Sequence, residues 1–263
     1  MHKTKKFFDT YNFFLSLIYS SYQKYNNQSS IFVFPDNLVI DLQDIPLTMQ
    51  NFISILIIIH AGLGGIALLS GLIAVLSKKG KKTHTKSGLL FYYTMLTSAF
   101  TALIISVLPM HENPFLFSIG IFSSYFILMG KQALTFKKGI KLLLLEKSMT
   151  IIFLLTGFFM ITYSFTIYQT INVVLLIFGI LAVLFGIRDL RLLYNPQSLK
   201  QKWLGLHIGN MMGGYIAAVT AFVVVNEIFP GVYGWFLPGI LGGLYSYYWI
   251  RRVKSDKKPN YLP

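Results

Sequence analysis

Apolar runs long enough to cross a bilayer recur seven times along the chain, at 51–77, 88–109, 115–134, 149–168, 171–187, 204–227 and 230–250. About 20 helical residues span a hydrocarbon core roughly 30 Å thick. The run at 171–187 is the shortest. The run at 230–250 contains Pro238 and several glycines, which membrane helices tolerate because neighbouring groups satisfy the freed backbone. The pattern predicts an all-α fold: a polytopic membrane helical bundle of seven transmembrane helices within residues 49–250.

The connectors between these runs alternate in charge. Basic residues fill 78–87 (Lys78, Lys79, Lys81, Lys82, Lys86), 135–148 (Lys137, Lys138, Lys141, Lys147), 188–203 (Arg188, Arg191, Lys200, Lys202) and the tail 251–263 (Arg251, Arg252, Lys254, Lys257, Lys258). The connectors at 110–114, at 169–170 and between the last two runs carry none. By the positive-inside rule the basic loops and the C-terminus are cytoplasmic and residue 50 is outside. The core is therefore expected to be N-out and C-in, with a basic cytoplasmic tail at 251–263.

Composition changes the picture in two ways. The 263 residues are 54% hydrophobic and only 12% charged, about half the charge of a soluble domain, which excludes an ordinary soluble domain and a disordered chain. The net charge of +14 resembles a nucleic-acid footprint, but its alternation along the chain assigns it to topology, so no nucleic-acid partner is expected. The expected partners are the lipid bilayer and a membrane-protein partner or a second copy of the chain. The absence of cysteine excludes disulfides, thiolate nucleophiles and iron–sulfur clusters. No dinucleotide fingerprint, phosphate loop or zinc-protease motif is present.

Residues 1–48 differ from the rest. Lys3, Lys5, Lys6 and Lys24 balance Asp9, Asp36, Asp41 and Asp44, and the only apolar patch, near 11–20, is too short to span. The segment reads as a poorly defined N-terminal extension: an interfacial or weak signal segment, an outer tail, or an extension upstream of a start at Met49.

Ionisable groups inside a bilayer usually face a bundle interior or a cavity, so the histidines are the first candidates for chemistry. His60 lies on a stripe with Gly64, Ala67 and Gly71. His207 lies on one with Asn210, Met211, Gly214, Ala218 and Ala221. Small residues let membrane helices approach closely, so both histidines should point inward. Each could bond a hydroxyl or carbonyl across helices, ligate a haem or metal, or relay protons. At the helical rise, His60 and His207 should differ in depth by about 11 Å, too much for one upright haem. His84 is better levelled with His207, and His111 with His60. The candidate cofactor-binding set is thus His60, His84, His111 and His207, with haem b the cofactor they could hold. No catalytic residue stands out, and the metal question stays open. Arg188, Asp189 and Arg191 read as an interfacial charge cluster, Glu146 beside Lys147 as similar, and the phenylalanine and tyrosine excess as mostly lipid-facing.

The segments HAGLGGIALLSGLIAV, the lysine-rich loop ending HTKSG, FLFSIGIFSSYFILMGKQAL and HIGNMMGGYIAAVTAF together resemble a family of bacterial multi-pass membrane proteins of unknown function. The resemblance covers about 51–250, with His60, His84, Gly88 and His207 among the matching positions. It implies a bacterial cytoplasmic (inner) membrane location. The chain is also loosely similar to transmembrane di-haem cytochrome b proteins, whose four-helix core carries paired histidines; no helix here carries two. Three functions therefore compete: a small membrane subunit or accessory protein, which is the leading one and is not an enzyme; a b-type haem-binding electron carrier; and a proton-linked transporter.

Overall fold

A computed structural model describes residues 47–109, 111–137, 143–166 and 171–255. The expectations for residues 1–46 and for most of the basic tail lie outside these. The described residues form seven α-helices and no strand: α1 Leu47–Leu76, α2 Lys82–Ile105, α3 Pro114–Gln132, α4 Leu144–Thr166, α5 Val173–Leu193, α6 Pro196–Val225 and α7 Tyr233–Ser255. Six of them, α1 to α6, have the length and apolarity of membrane spans. The tyrosine- and glycine-rich α7 is not among these six.

Several helices run further than the apolar runs that foretold them. α2 starts at Lys82 rather than 88, α4 at Leu144 rather than 149, and α6 at Pro196 rather than 204. α5, expected to stop at 187, continues through Arg188 and Arg191 to Leu193. Hydropathy marks only the part of a helix that lipid or core must cover. The backbone ladder ends where a capping group supplies the orphan donors. Asn113 accepts from Leu116 N at 2.9 Å, Asn172 from Leu175 N at 3.0 Å and Asn195 from Ser198 N at 3.0 Å. Pro114 and Pro196 follow two of these caps at the first helical position, where a missing N–H costs nothing. At the α1–α2 turn, Gly80 adopts a φ of 74°, which a side chain would disfavour.

Successive helices are antiparallel, so the basic connectors gather at one end of the bundle. α3 is the central helix, packing on α2, α4 and α6. α1 pairs with α2, α4 with α5, and α7 with α6. One core cluster, including Phe122, Tyr125, Phe126, Met129, Phe153, Leu199 and Leu206, fills the space between α3, α4, α5 and α6. A second, with Ala67, Phe91, Met95, Ile127 and Ala218, joins α1, α2, α3 and α6. Tyr125 stacks on Phe153 at 4.0 Å and 7°, and Phe122 meets Phe126 edge-on at 4.8 Å. These rings face inward, so the expectation that the aromatics are mostly lipid-facing is corrected for α3 and the facing part of α4. Their quadrupoles favour such stacked and edge-on contacts.

Close backbone approach sets the helix pairs. A Cβ on Gly179 of α5 would lie 2.9 Å from the Gly157 carbonyl of α4, and one on Gly157 3.0 Å from the Gly179 carbonyl. A Cβ on Gly130 of α3 would lie 2.9 Å from the Met211 backbone nitrogen of α6. Outside these seams large apolar side chains face outward, most fully on α1, where Ile55, Ile58, Leu69, Ile73 and Leu76 are exposed. Only 11% of the most apolar stretch of α1 is buried, against 50% for α3.

Replacing Gly179 by Val should destabilise the α4–α5 pair by about 1–3 kcal/mol through overpacking. Gly62→Ala, where a Cβ meets nothing within 4 Å, should leave stability unchanged or slightly raised. Thermal unfolding in detergent distinguishes the two; equal effects would remove the glycine seam as a packing determinant.

Candidate functional site

Three of the four candidate histidines do the same thing. His60 Nδ1 lies 2.8 Å from Ser98 O on α2, His84 Nδ1 lies 2.9 Å from Ala74 O on α1, and His207 Nδ1 lies 2.8 Å from Gly130 O on α3. A carbonyl can only accept, so the Nδ1 proton must donate in each case, and the neutral ring keeps its lone pair on Nε2. Ala74 and Gly130 lie in the last turns of α1 and α3, where a carbonyl has no intrahelical donor, and Ser98 O, inside α2, accepts on the lone-pair side that its backbone bond leaves open.

The α1–α2 pair carries two of these latches in a reciprocal arrangement. Each helix lends one histidine to a carbonyl of the other, and the interval from His60 to Ala74 equals that from His84 to Ser98. Midway lie Ala67 and Phe91, both buried in one cluster. The stripe expected from His60, with Gly64, Ala67 and Gly71, thus faces α2 and α6, as the contacts of Gly64 with Ser98 Oγ and of Gly71 with Tyr215 and Phe91 record. Ser98 strengthens the distal latch: its hydroxyl donates to His60 O at 3.0 Å, while Thr101 Oγ1 donates to Ser98 O at 2.8 Å.

His207 belongs to the α3–α6 seam. Gly130 brings the two backbones together there, and Lys131 and His84 lie within electrostatic reach of the imidazole. Of the candidate histidines, His84 is the one whose charge reaches His207. His60 is held apart from them by its own latch on α2. His111 lies in the α2–α3 connector, where its backbone N–H donates to Leu108 O at 3.0 Å. Burial holds its imidazole below the ordinary histidine pKa. Next to His207 on α6, Asn210 is 1% exposed, and neither its Oδ1 nor its Nδ2 has a hydrogen-bond partner among the described residues.

A second polar group, between α3, α4 and α5, was not foreseen. Asp189 is 1% exposed. Its Oδ2 accepts from Tyr125 OH at 2.8 Å, and its Oδ1 lies 2.7 Å from both Nε and Nη2 of Arg188. Tyr125 OH also lies 3.3 Å from Thr150 Oγ1, which donates to Glu146 O at 2.7 Å. Glu146 is buried and accepts from Gln132 Nε2 at 3.0 Å. The reading of Asp189 and Glu146 as interfacial charges is therefore corrected: both carboxylates are buried and held by side chains of α3. Arg188, with its side chain 45% exposed, links Asp189 to the basic end. The available signal was an acid next to an arginine within an apolar helix, together with Tyr125 and Gln132 seven residues apart on one face of α3.

Two clefts lie toward the other end of α6 and α7. One, of about 510 Å³, is lined by Val224, Glu227, Phe229, Gly231 and Trp235. The other, of about 270 Å³, is lined by Tyr215, Val219, Phe229, Leu237 and Pro238. No candidate histidine lines either one. Among the described residues no three His, Cys, Asp or Glu side chains cluster as metal ligands. Fold and site together define an all-helical protein with membrane-length apolar helices and cross-helix polar latches. Comparisons of the chain with protein-family models, with curated proteins and with solved structures return no match.

Because the donor is Nδ1, the side chain that mimics each latch is asparagine, whose amide nitrogen sits at the same distance from the backbone. His60→Asn and His207→Asn should unfold close to the native temperature. His60→Leu and His207→Leu should lose about 0.6–1.7 kcal/mol, the range for hydrogen bonds between membrane helices. Tyr125→Phe should cost about 1–3 kcal/mol, because it leaves a buried carboxylate oxygen unsatisfied. A double-mutant cycle with Asp189→Asn should show coupling; additive losses would mean that the pair does not act together.

His111 gives a pH prediction with a definite sign. Its folded pKa is depressed, so the unfolded chain binds more protons as pH falls through about 6.5. Stability should therefore be full above that value and decline below it. His111→Gln should flatten this decline in unfolding scans; an unchanged pH profile would remove His111 as its source.

Proposed function

We infer that the chain is a multi-pass integral membrane protein acting as a small helical subunit or accessory protein, without a catalytic reaction of its own. The observation that carries this reading is where the buried polar groups go. His60, His84 and His207 are spent on carbonyls of neighbouring helices, and Asp189 and Glu146 on Tyr125 and Gln132. Polar groups used in this way fix helix positions rather than face a substrate. The outward apolar face of α1 supports a bilayer setting and leaves room for a partner helix. In this reading all seven helices cross the bilayer, α7 by virtue of its place against α6. The positive-inside rule supports a cytoplasmic basic end, and the resemblance to bacterial proteins supports an inner-membrane location.

A b-type haem carrier is the second reading, favoured by one observation. A histidine that spends Nδ1–H on a carbonyl presents Nε2, the arrangement that orients metal-ligating imidazoles. His84 and His207 are the pair that share a neighbourhood. A haem held there would supply one-electron chemistry, and the chain's part would be to fix the two rings and exclude water.

A reduced-minus-oxidised absorbance spectrum of the protein purified after expression with haem supply separates the readings. The subunit reading predicts a flat spectrum, no pH-gradient-driven flux in proteoliposomes, and one reproducible cross-linked membrane partner in native membranes. A sharp α band lost in His207→Ala, or flux abolished by Asp189→Asn, would overturn it.

A further inference from the structure

At the basic end, the α1–α2 turn and the last turns of α7 converge. Lys79 Nζ lies 5.0 Å from the Trp249 ring centroid and 6.0 Å from that of Tyr245. The Arg252 guanidinium lies 5.5 Å from the same Trp249 ring, and Arg251 lies 5.1 Å from the Tyr247 ring. Tyr245 OH donates to Val75 O at 3.0 Å, and Ile250 packs beside Gly205 and Gly209 of α6. This end of α7 is therefore tied to both α1 and α6. The cations stand on aromatic faces, with Lys79 Nζ also donating to Ala74 O and Val75 O and Arg252 Nη1 to Tyr248 OH, which leaves N–H donors on each cation for an anion.

The corner has no protein counter-ion among the described residues. From 77 to 88 and from 233 to 255 there is no Asp or Glu; the next acid, Asp256, lies outside them. The other two acids at this end, Glu146 and Asp189, are buried and partnered between α3, α4 and α5. Burial without a neighbouring anion holds Lys79 below its ordinary pKa. Trp249 Nε1 is buried yet has no hydrogen-bond partner, so one donor is unspent within the same corner. On the same two helices Leu72 and Leu76, and Leu241 and Leu244, are exposed.

We propose that the α1–α2–α7 corner is a binding site for the headgroup of an anionic phospholipid, with Lys79, Arg252 and Trp249 Nε1 at the phosphate, Arg251 on the adjoining face of α7 adding positive charge, and the acyl chains against the exposed leucines of α1 and α7. Basic pockets beside cytoplasmic helix ends suit such headgroups, and arginine and a ring N–H are effective phosphate donors. The leucines favour a lipid over a free phosphate, which has no use for them. The site rests on the membrane-spanning reading above, and the two can fail separately.

The test is native mass spectrometry of the full chain released from nanodiscs of phosphatidylcholine with an equal share of phosphatidylglycerol. The expected result is selective retention of phosphatidylglycerol. Arg251→Gln/Arg252→Gln should reduce it on the order of 30-fold, since each surface cation contributes about 1 kcal/mol, roughly a fivefold factor. Trp249→Phe, which keeps the ring but removes the N–H, should reduce it by a smaller factor. The control Arg191→Gln/Lys200→Gln, on another basic connector, should retain the lipid as the native protein does. Equal retention of both lipids, equal loss in the control, or competition by inorganic phosphate as effective as by phosphatidylglycerol would overturn the site. Extraction of the protein from membranes by alkaline carbonate would instead overturn the membrane-spanning reading.

Discussion

A helix carbonyl with a lone pair to spare is what this bundle is built around. Inside a hydrocarbon setting every backbone group must be satisfied within the protein, and the α-helix does this with one lone pair per carbonyl. The second is open to a side chain from the next helix. His60 uses it at Ser98, while His84 and His207 donate to Ala74 and Gly130, carbonyls in the last turns of α1 and α3 that the helix itself leaves without a donor. The consequence is geometric: an imidazole can reach such a carbonyl only where two helices come close. The small residues beside each latch therefore matter as much as the histidine. Gly130 sits where α6 crosses α3, and Gly64 faces Ser98 where α1 meets α2.

From these latches the remaining arrangement follows in steps. α1 and α2 become one unit, tied near both ends of their contact. α3 is tied to α6 by His207 and to α4 and α5 by Tyr125, Thr150 and Gln132. The aromatic cluster around Phe126 and Phe153 fills the gap between these ties. α3 is then the helix whose position fixes most of the others. That is consistent with half of its most apolar stretch being buried while α1 remains mostly uncovered. Asp189 and Glu146 cost little to bury against α3, since Tyr125 and Gln132 are in place to partner them.

The helices and the inward direction of His60 and His207 were legible because both leave a periodic trace: long apolar runs, and small residues at helical spacing beside each histidine. The ends of α2, α4, α5 and α6 were not, because hydropathy falls before the backbone ladder stops. Asp189 and Glu146 were misread for a related reason. An acid beside a cation near a helix end has the same local signature whether it faces water or a tyrosine from another helix. Only the register between α3, α4 and α5, which is set by Gly157 and Gly179 and by the ring packing, decides which. The tight pairing of Tyr125 with Asp189 joins residues 64 apart in sequence, so neither position alone reveals the other.

What ties the bundle together is donation from the Nδ1 of these histidines to carbonyls of neighbouring helices. Nitrogen-15 NMR of ring-labelled histidine in the reconstituted protein tests it directly, with each signal assigned by its loss in the single asparagine variant. His60, His84 and His207 should each show a protonated Nδ1 hydrogen-bonded to a carbonyl. A bare Nδ1 with a protonated Nε2 at any of the three would contradict it.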